Sequence, residues 1–268
     1  MRARRPSSST AASGGAQSTL VPTPNPVVEA APREAIRLVT YDRRCAGQSQ
    51  YVLDWYTLDD IAADARDLLA QLGIERSIVI GSSMGGMVAQ QYALALLNTG
   101  ANLMAQPPWG VRSAALAERA KREGDRAIFA ERRQELRDPP EPPDDPNRSE
   151  AMRERLRERR VLYLKKVAAV SDDDLLAYSS GSIRNFAAFV GYDFAPRLGQ
   201  LDMPTVIIHG TADTTVPFAL GEELHKAISQ SELHPIAGAV HGILQYPEAR
   251  SALRDWLVRA SSGTAPRP

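Results

Sequence analysis

The stretch Ser77-Ile78-Val79-Ile80-Gly81-Ser82-Ser83-Met84-Gly85-Gly86-Met87-Val88-Ala89-Gln90-Gln91-Tyr92-Ala93 decides the fold. An apolar, β-branched run reads as a buried strand, and the segment after Met84 has no residue that opposes a helix except its glycines. Between them lies Gly-Ser-Ser-Met-Gly, a tight turn with a serine at its centre. Such a turn lifts the Ser83 hydroxyl to the carboxyl edge of a sheet, and the helix N-terminus aims backbone N–H groups beside it. The glycines fit because a strained turn has no room for Cβ atoms. Ser83 is the candidate nucleophile, and the Met84 N–H is the candidate oxyanion donor.

The five-letter pattern alone is weak, since about one chain in ten of this length would hold it by chance at average glycine and serine usage. Two later segments strengthen it. Thr205-Val206-Ile207-Ile208-His209-Gly210 reads as a strand running into a loop that carries Asp213, with Pro217 closing the loop. Glu232-Leu233-His234-Pro235-Ile236 is a short strand, followed by Ala237-Gly238-Ala239-Val240-His241-Gly242. A serine hydroxyl needs an adjacent base, and histidine has a suitable pKa. A carboxylate on the far ring nitrogen fixes the tautomer. Of the four histidines, His209 ends a strand, His225 sits in a helical pattern and His234 lies in a strand. These three read as structural or surface residues. His241 alone occupies a glycine-flanked loop after the last strand. The chain order is therefore Ser83, Asp213, His241, each after a strand, where open α/β sheets collect their sites.

In these segments the chain resembles α/β-hydrolase-fold serine hydrolases, in the branch of esterases, lactonases, C–C hydrolases and proline-iminopeptidase-like enzymes. Tyr41-Asp42-Arg43-Arg44-Cys45-Ala46-Gly47-Gln48-Ser49 is a fourth matching segment, with Cys45 in place of that pattern's first glycine. The resemblance implies an α/β fold: a mostly parallel sheet, helices on both faces and a helical cap insertion. It implies Ser-His-Asp acyl transfer on a small-molecule ester, lactone or related carbonyl, with no metal and no organic cofactor. It also implies a His-Gly loop before residue 34 that supplies a second oxyanion donor. Here Ser13-Gly14-Gly15 stands in that place, which makes the Gly15 N–H the candidate.

The expected organisation is a disordered extension over residues 1–33, with 13–18 as its remnant oxyanion loop. The hydrolase core's first half follows at 34–110, a helical cap at 111–195, the second half at 196–262, and a disordered tail at 263–268. The sheet is expected to be incomplete. Residues 5–12, rich in serine and alanine, make a poor strand. Residues 92–100 must serve as helix end and strand at once. Loss of both strands would leave the nucleophile strand without partners, so a non-catalytic or truncated relative with a binding role is the competing reading.

Composition narrows the classes. Lysine plus arginine equals aspartate plus glutamate at 32 each, so no global field favours nucleic acid or an anionic membrane. No apolar run is long enough to span a bilayer. One cysteine excludes an internal disulfide. The chain is expected to be cytoplasmic, with a transit peptide as the weaker reading of its arginine-bearing start, and its partner a small-molecule substrate. The charge run from Arg153 to Arg160 reads as a solvated helix face. Tyr163, Tyr178, Phe186, Phe189, Tyr192 and Phe194 read equally as a pocket roof or as cap-to-core packing.

Overall fold

The computed structural model describes residues 9–15, 26–32, 34, 36–95, 111–141 and 150–262. In chain order these form β1 (Ser9–Gly15), α1 (Pro26–Ala30), β2 (Ile36–Asp42), α2 (Leu58–Gln71), β3 (Ser77–Ile80) and α3 (Met84–Ala95). Then come α4 (Val111–Glu123), α5 (Asp125–Arg137), α6 (Glu150–Ala169) and α7 (Asp172–Ala187). The chain closes with β4 (Thr205–Gly210), α8 (Phe218–Ala227), β5 (Ser231–Ile236) and α9 (Pro247–Ser262).

The expectation for the first segment is corrected. Ser9–Gly15 is a strand, and it lies between β2 and β3, parallel to both. Ala11 is in register with Leu38 on one side and Ile78 on the other. Intrinsic preference is a weak guide for a strand with neighbours on both edges, because the two backbone ladders fix it whatever its side chains favour. The helix α1 likewise falls inside the stretch expected to be disordered. Of residues 92–100, expected to serve as helix end and strand, 92–95 are the end of α3 and 96–100 lie outside the described residues. Among the described residues, β3 pairs only with β1, and β4 pairs only with β5, so the parallel sheet is incomplete.

Apolar side chains join what the ladders do not. One buried cluster packs Ile36, Ile78 and Ile80 of the first sheet with Val206 and Ile208 of the second, sealed by Leu253, Trp256 and Leu257 of α9. The other, on the opposite face, joins Val79, Met87 and Leu58 to Ile207 and Leu224. Each fully buried side chain of this size stabilises by about 1.5–3 kcal/mol. The helix α2 begins with a reciprocal cap: Asp60 N–H donates to Thr57 Oγ1 at 3.2 Å, and Thr57 N–H donates to Asp60 Oδ2 at 2.8 Å.

Among the described residues, the insertion consists of the helices α4 to α7 and their connections, with no strand. Its aromatics serve packing: Phe189 and Phe194 are buried in the core, and Tyr163 and Tyr178 pack around Phe129, Val167 and Leu175 within the cap. The charged run on α6 makes exposed ion pairs, Arg153 with Glu150 and Arg157 with Glu154. The loop after β2 anchors the insertion. Asn185 Nδ2–H of α7 donates to the Cys45 carbonyl at 2.8 Å, and Gly181 lets α7 approach so closely that a Cβ there would lie 2.9 Å from the Cys45 Cβ. In the same loop Arg43 is fully buried against the Phe189 ring, and burial depresses its pKa.

Candidate active site

The turn between β3 and α3 has the geometry its sequence calls for. Ser83 holds a φ of +55°, in the left-handed region that side chains other than glycine seldom enter. A Cβ on Gly81 would sit 2.0 Å from the Gly85 carbonyl oxygen, so the turn closes only around glycine. Gly85 N–H donates to Ser82 O at 2.9 Å and Gly86 N–H to Ser83 O at 2.8 Å. Met84 opens the helix, where no carbonyl four residues back belongs to the helix. Gly15 ends β1 opposite Asp42, two residues past the pairing of Ser13 with Ile80. It therefore stands at the carboxyl edge beside the turn.

The second sheet brings the other two residues. Asp213 follows β4, and its carboxylate organises its own loop: Oδ1 accepts the N–H groups of Thr215 and Val216, both at 2.9 Å. Its side chain is almost fully buried, which lowers the local dielectric around its remaining oxygen. The loops of β4 and β5 are stitched together. Ala212 N–H donates to Ala239 O at 3.0 Å, and Gly238 N–H to Thr211 Oγ1 at 2.9 Å. Gly210 permits this approach, since a Cβ there would lie 2.2 Å from the Ala239 oxygen. The backbone next to His241 is held by the Tyr246 hydroxyl, which accepts from Val240 N–H at 3.1 Å. Gln245 Nε2–H donates to the His241 carbonyl at 3.2 Å.

The structure brings Ser83, Asp213 and His241 together. His241 Nδ1 is 2.8 Å from Asp213 Oδ2, and its Nε2 is 3.2 Å from Ser83 Oγ. A carboxylate can only accept, so Nδ1 carries the proton and Nε2 is the acceptor for the serine O–H. The other histidines stay apart from the serine: His225 pairs with Ser231 Oγ at 2.7 Å, and His234 lies beside Glu232. Cys45 is buried in the loop after β2. The support given by Tyr246 and Gln245, one short turn after the histidine, has no signal in the sequence beyond that proximity. Among the described residues, no group of three or more His, Cys, Asp or Glu could hold a metal ion, and no helix is long and apolar enough to cross a membrane.

Fold and site geometry define a class, and comparison with known proteins gives the same one. The family model of the alpha/beta hydrolase fold matches residues 12–245, and the chain belongs to that family. It is 30% identical over 219 residues to the AB hydrolase superfamily protein YisY of Bacillus subtilis, covering 79% of this chain and 76% of that one. It is 24% identical over 228 residues to 3-oxoadipate enol-lactonase 1 of Acinetobacter baylyi, covering 82% and 77%. Among solved structures, the enol-lactonase of Burkholderia xenovorans superposes with a TM-score of 0.68 at 21% identity, covering 97% of this chain and 94% of that one.

Proposed function

We propose that this protein is a serine hydrolase of a small-molecule ester, lactone or related carbonyl compound, working through an acyl-enzyme. The observation that carries the reading is the continuous chain Asp213 Oδ2, His241 Nδ1, His241 Nε2, Ser83 Oγ, at 2.8 and 3.2 Å. Ser83 Oγ attacks the carbonyl carbon while His241 Nε2 takes its proton. The oxygen of the former carbonyl becomes negative and is met by the Met84 N–H, with the Gly15 N–H as the second donor. The tetrahedral species collapses, the leaving alcohol takes the proton from His241, and the acyl group stays on Ser83. Water then repeats the sequence, with His241 as base, and releases the acid. Asp213 holds the ring in the required tautomer and stabilises its cation. The lactone option is supported by the enol-lactonase among the relatives.

A second reading is kept by one observation: the sheet is incomplete among the described residues. In that reading the chain is a binding protein that retains the three residues. A fluorophosphonate probe separates the two. Covalent labelling of the native chain, lost in Ser83→Ala and in heat-denatured protein, supports the hydrolase. Absence of labelling in a cooperatively folded chain supports the binding protein. On a short-chain p-nitrophenyl ester, Ser83→Ala or His241→Ala should lower kcat by about 10⁴-fold or more.

A further inference from the structure

His209, the histidine of β4, is fully buried, yet its ring is built into the Asp213 loop. Its Nε2 lies 3.0 Å from the Val216 carbonyl oxygen. That oxygen can only accept, so Nε2 carries the hydrogen. The same nitrogen is 3.6 Å from Asp213 Oδ2, the oxygen that receives the His241 N–H. This is beyond hydrogen-bond length, but it keeps the polar N–H group close to that oxygen where the side chains of both residues are almost completely buried. The ring is clamped from α8. Phe218 meets it edge-on with centroids 5.5 Å apart, and a Cβ on Gly221 would lie 2.4 Å from its Nδ1.

We propose that His209 is a positioning residue for the Asp213 carboxylate, an inference that rests on the hydrolase reading above. The carboxylate's Oδ1 is tied to the N–H groups of Thr215 and Val216, so the turn 213–216 moves as one body with it. The Val216 carbonyl is the far end of that body, and His209 Nε2–H is what holds it. Loss of the N–H frees the turn to rotate and swings Oδ2 away from His241. The ring need not touch substrate. It acts by keeping the 2.8 Å contact between Asp213 and His241 in line.

The test compares His209→Leu, His209→Gln, Gly221→Ala and the His209→Leu/Gly221→Ala double variant on a neutral p-nitrophenyl ester. Glutamine places an N–H where Nε2 stood, and leucine does not. Leucine should lower kcat by about 10- to 100-fold at little-changed KM, the scale of a misplaced catalytic group, and glutamine should recover most of the loss. Gly221→Ala pushes the ring and should lower kcat about tenfold by the same route. In the double variant the added alanine should cost nothing more, because there is no ring left to push. The low-field proton resonance of the Asp213–His241 hydrogen bond should be present in the natural chain and lost in His209→Leu. If His209→Leu does not fold, Gly221→Ala carries the test. The inference is overturned if folded His209→Leu keeps kcat within threefold, if glutamine is no better than leucine, or if Gly221→Ala is fully active. If the natural chain neither hydrolyses the ester nor reacts with the fluorophosphonate, the hydrolase reading itself fails, and the variants are then silent on activity but still decide the resonance.

Discussion

Cys45 stands where the family pattern has glycine, and the backbone has kept the glycine conformation, with a φ of +56°. Such a conformation costs a residue with a Cβ about 1–2 kcal/mol. The thiol offsets part of this: Sγ accepts from Val52 N–H at 3.3 Å and lies 3.6 Å from the Val52 carbonyl. Both Cys45→Gly and Cys45→Ala lose those contacts, but only glycine relieves the strain. Glycine should therefore be more stable than alanine here, by about 1 kcal/mol, the reverse of the usual order. Urea unfolding of the two variants measures it; alanine equal or better would mean the position is unstrained. At this scale the three residues that meet were readable in advance. Ser83, Asp213 and His241 each carry a side chain that the proposed chemistry needs, on a loop whose glycines or strand mark its position. What was not readable is support that comes from backbone geometry, such as the Thr215 and Val216 N–H groups, because any residue supplies an N–H.

At the scale of elements, the contact that matters most is between the end of β4 and the loop before His241. Gly210 lets the two touch, and Ala212 N–H and Ala239 O lock them. Gly210→Ala must open this seam, since the new methyl would meet the Ala239 backbone oxygen at 2.2 Å. Asp213 and His241 lie on opposite sides of the seam, so kcat should drop by about 100-fold, while the α-helices keep their circular dichroism. Full activity in a folded Gly210→Ala chain would show that the seam does not set the Asp213–His241 distance. The strands β3 and β4 were legible from β-branched runs, and β5 as a short run before the loop of His241. β1 was not. Its Ser-Thr-Ala-Ala-Ser run has no bulky residue to announce a strand, and its place is set by partners 20 or more residues away in sequence.

For the molecule as a whole, burial of tyrosine hydroxyls makes stability depend on alkaline pH. Burial pushes Tyr41 and Tyr178 up to about 12, with the Arg43 cation partly opposing it at Tyr41. In the unfolded chain both lose their protons near pH 10. Between about pH 10 and 12 the folded state thus holds more protons than the unfolded one, and unfolding becomes easier as pH rises. The stabilisation is fully present below pH 10 and is lost as pH passes through 12. Urea midpoints at pH 8, 10 and 11.5 should fall in that order, and Tyr41→Phe should flatten the decline. An unchanged slope in Tyr41→Phe would mean that its hydroxyl is solvated in the folded chain.

The sheet described above is split, and the split runs through the site. Ser83 follows the last strand of the three-stranded part, whereas Asp213 and His241 follow the two strands of the other part. Among the described strands, no backbone ladder joins the two parts, and oily side chains span the divide instead. Ladders fix a distance to tenths of an ångström, while apolar contact tolerates sliding. The 3.2 Å between His241 and Ser83 is therefore a gauge of how well the two parts are seated. A small molecule bonded to Ser83 and cradled by the second part would act as a rivet across the break between the described strands.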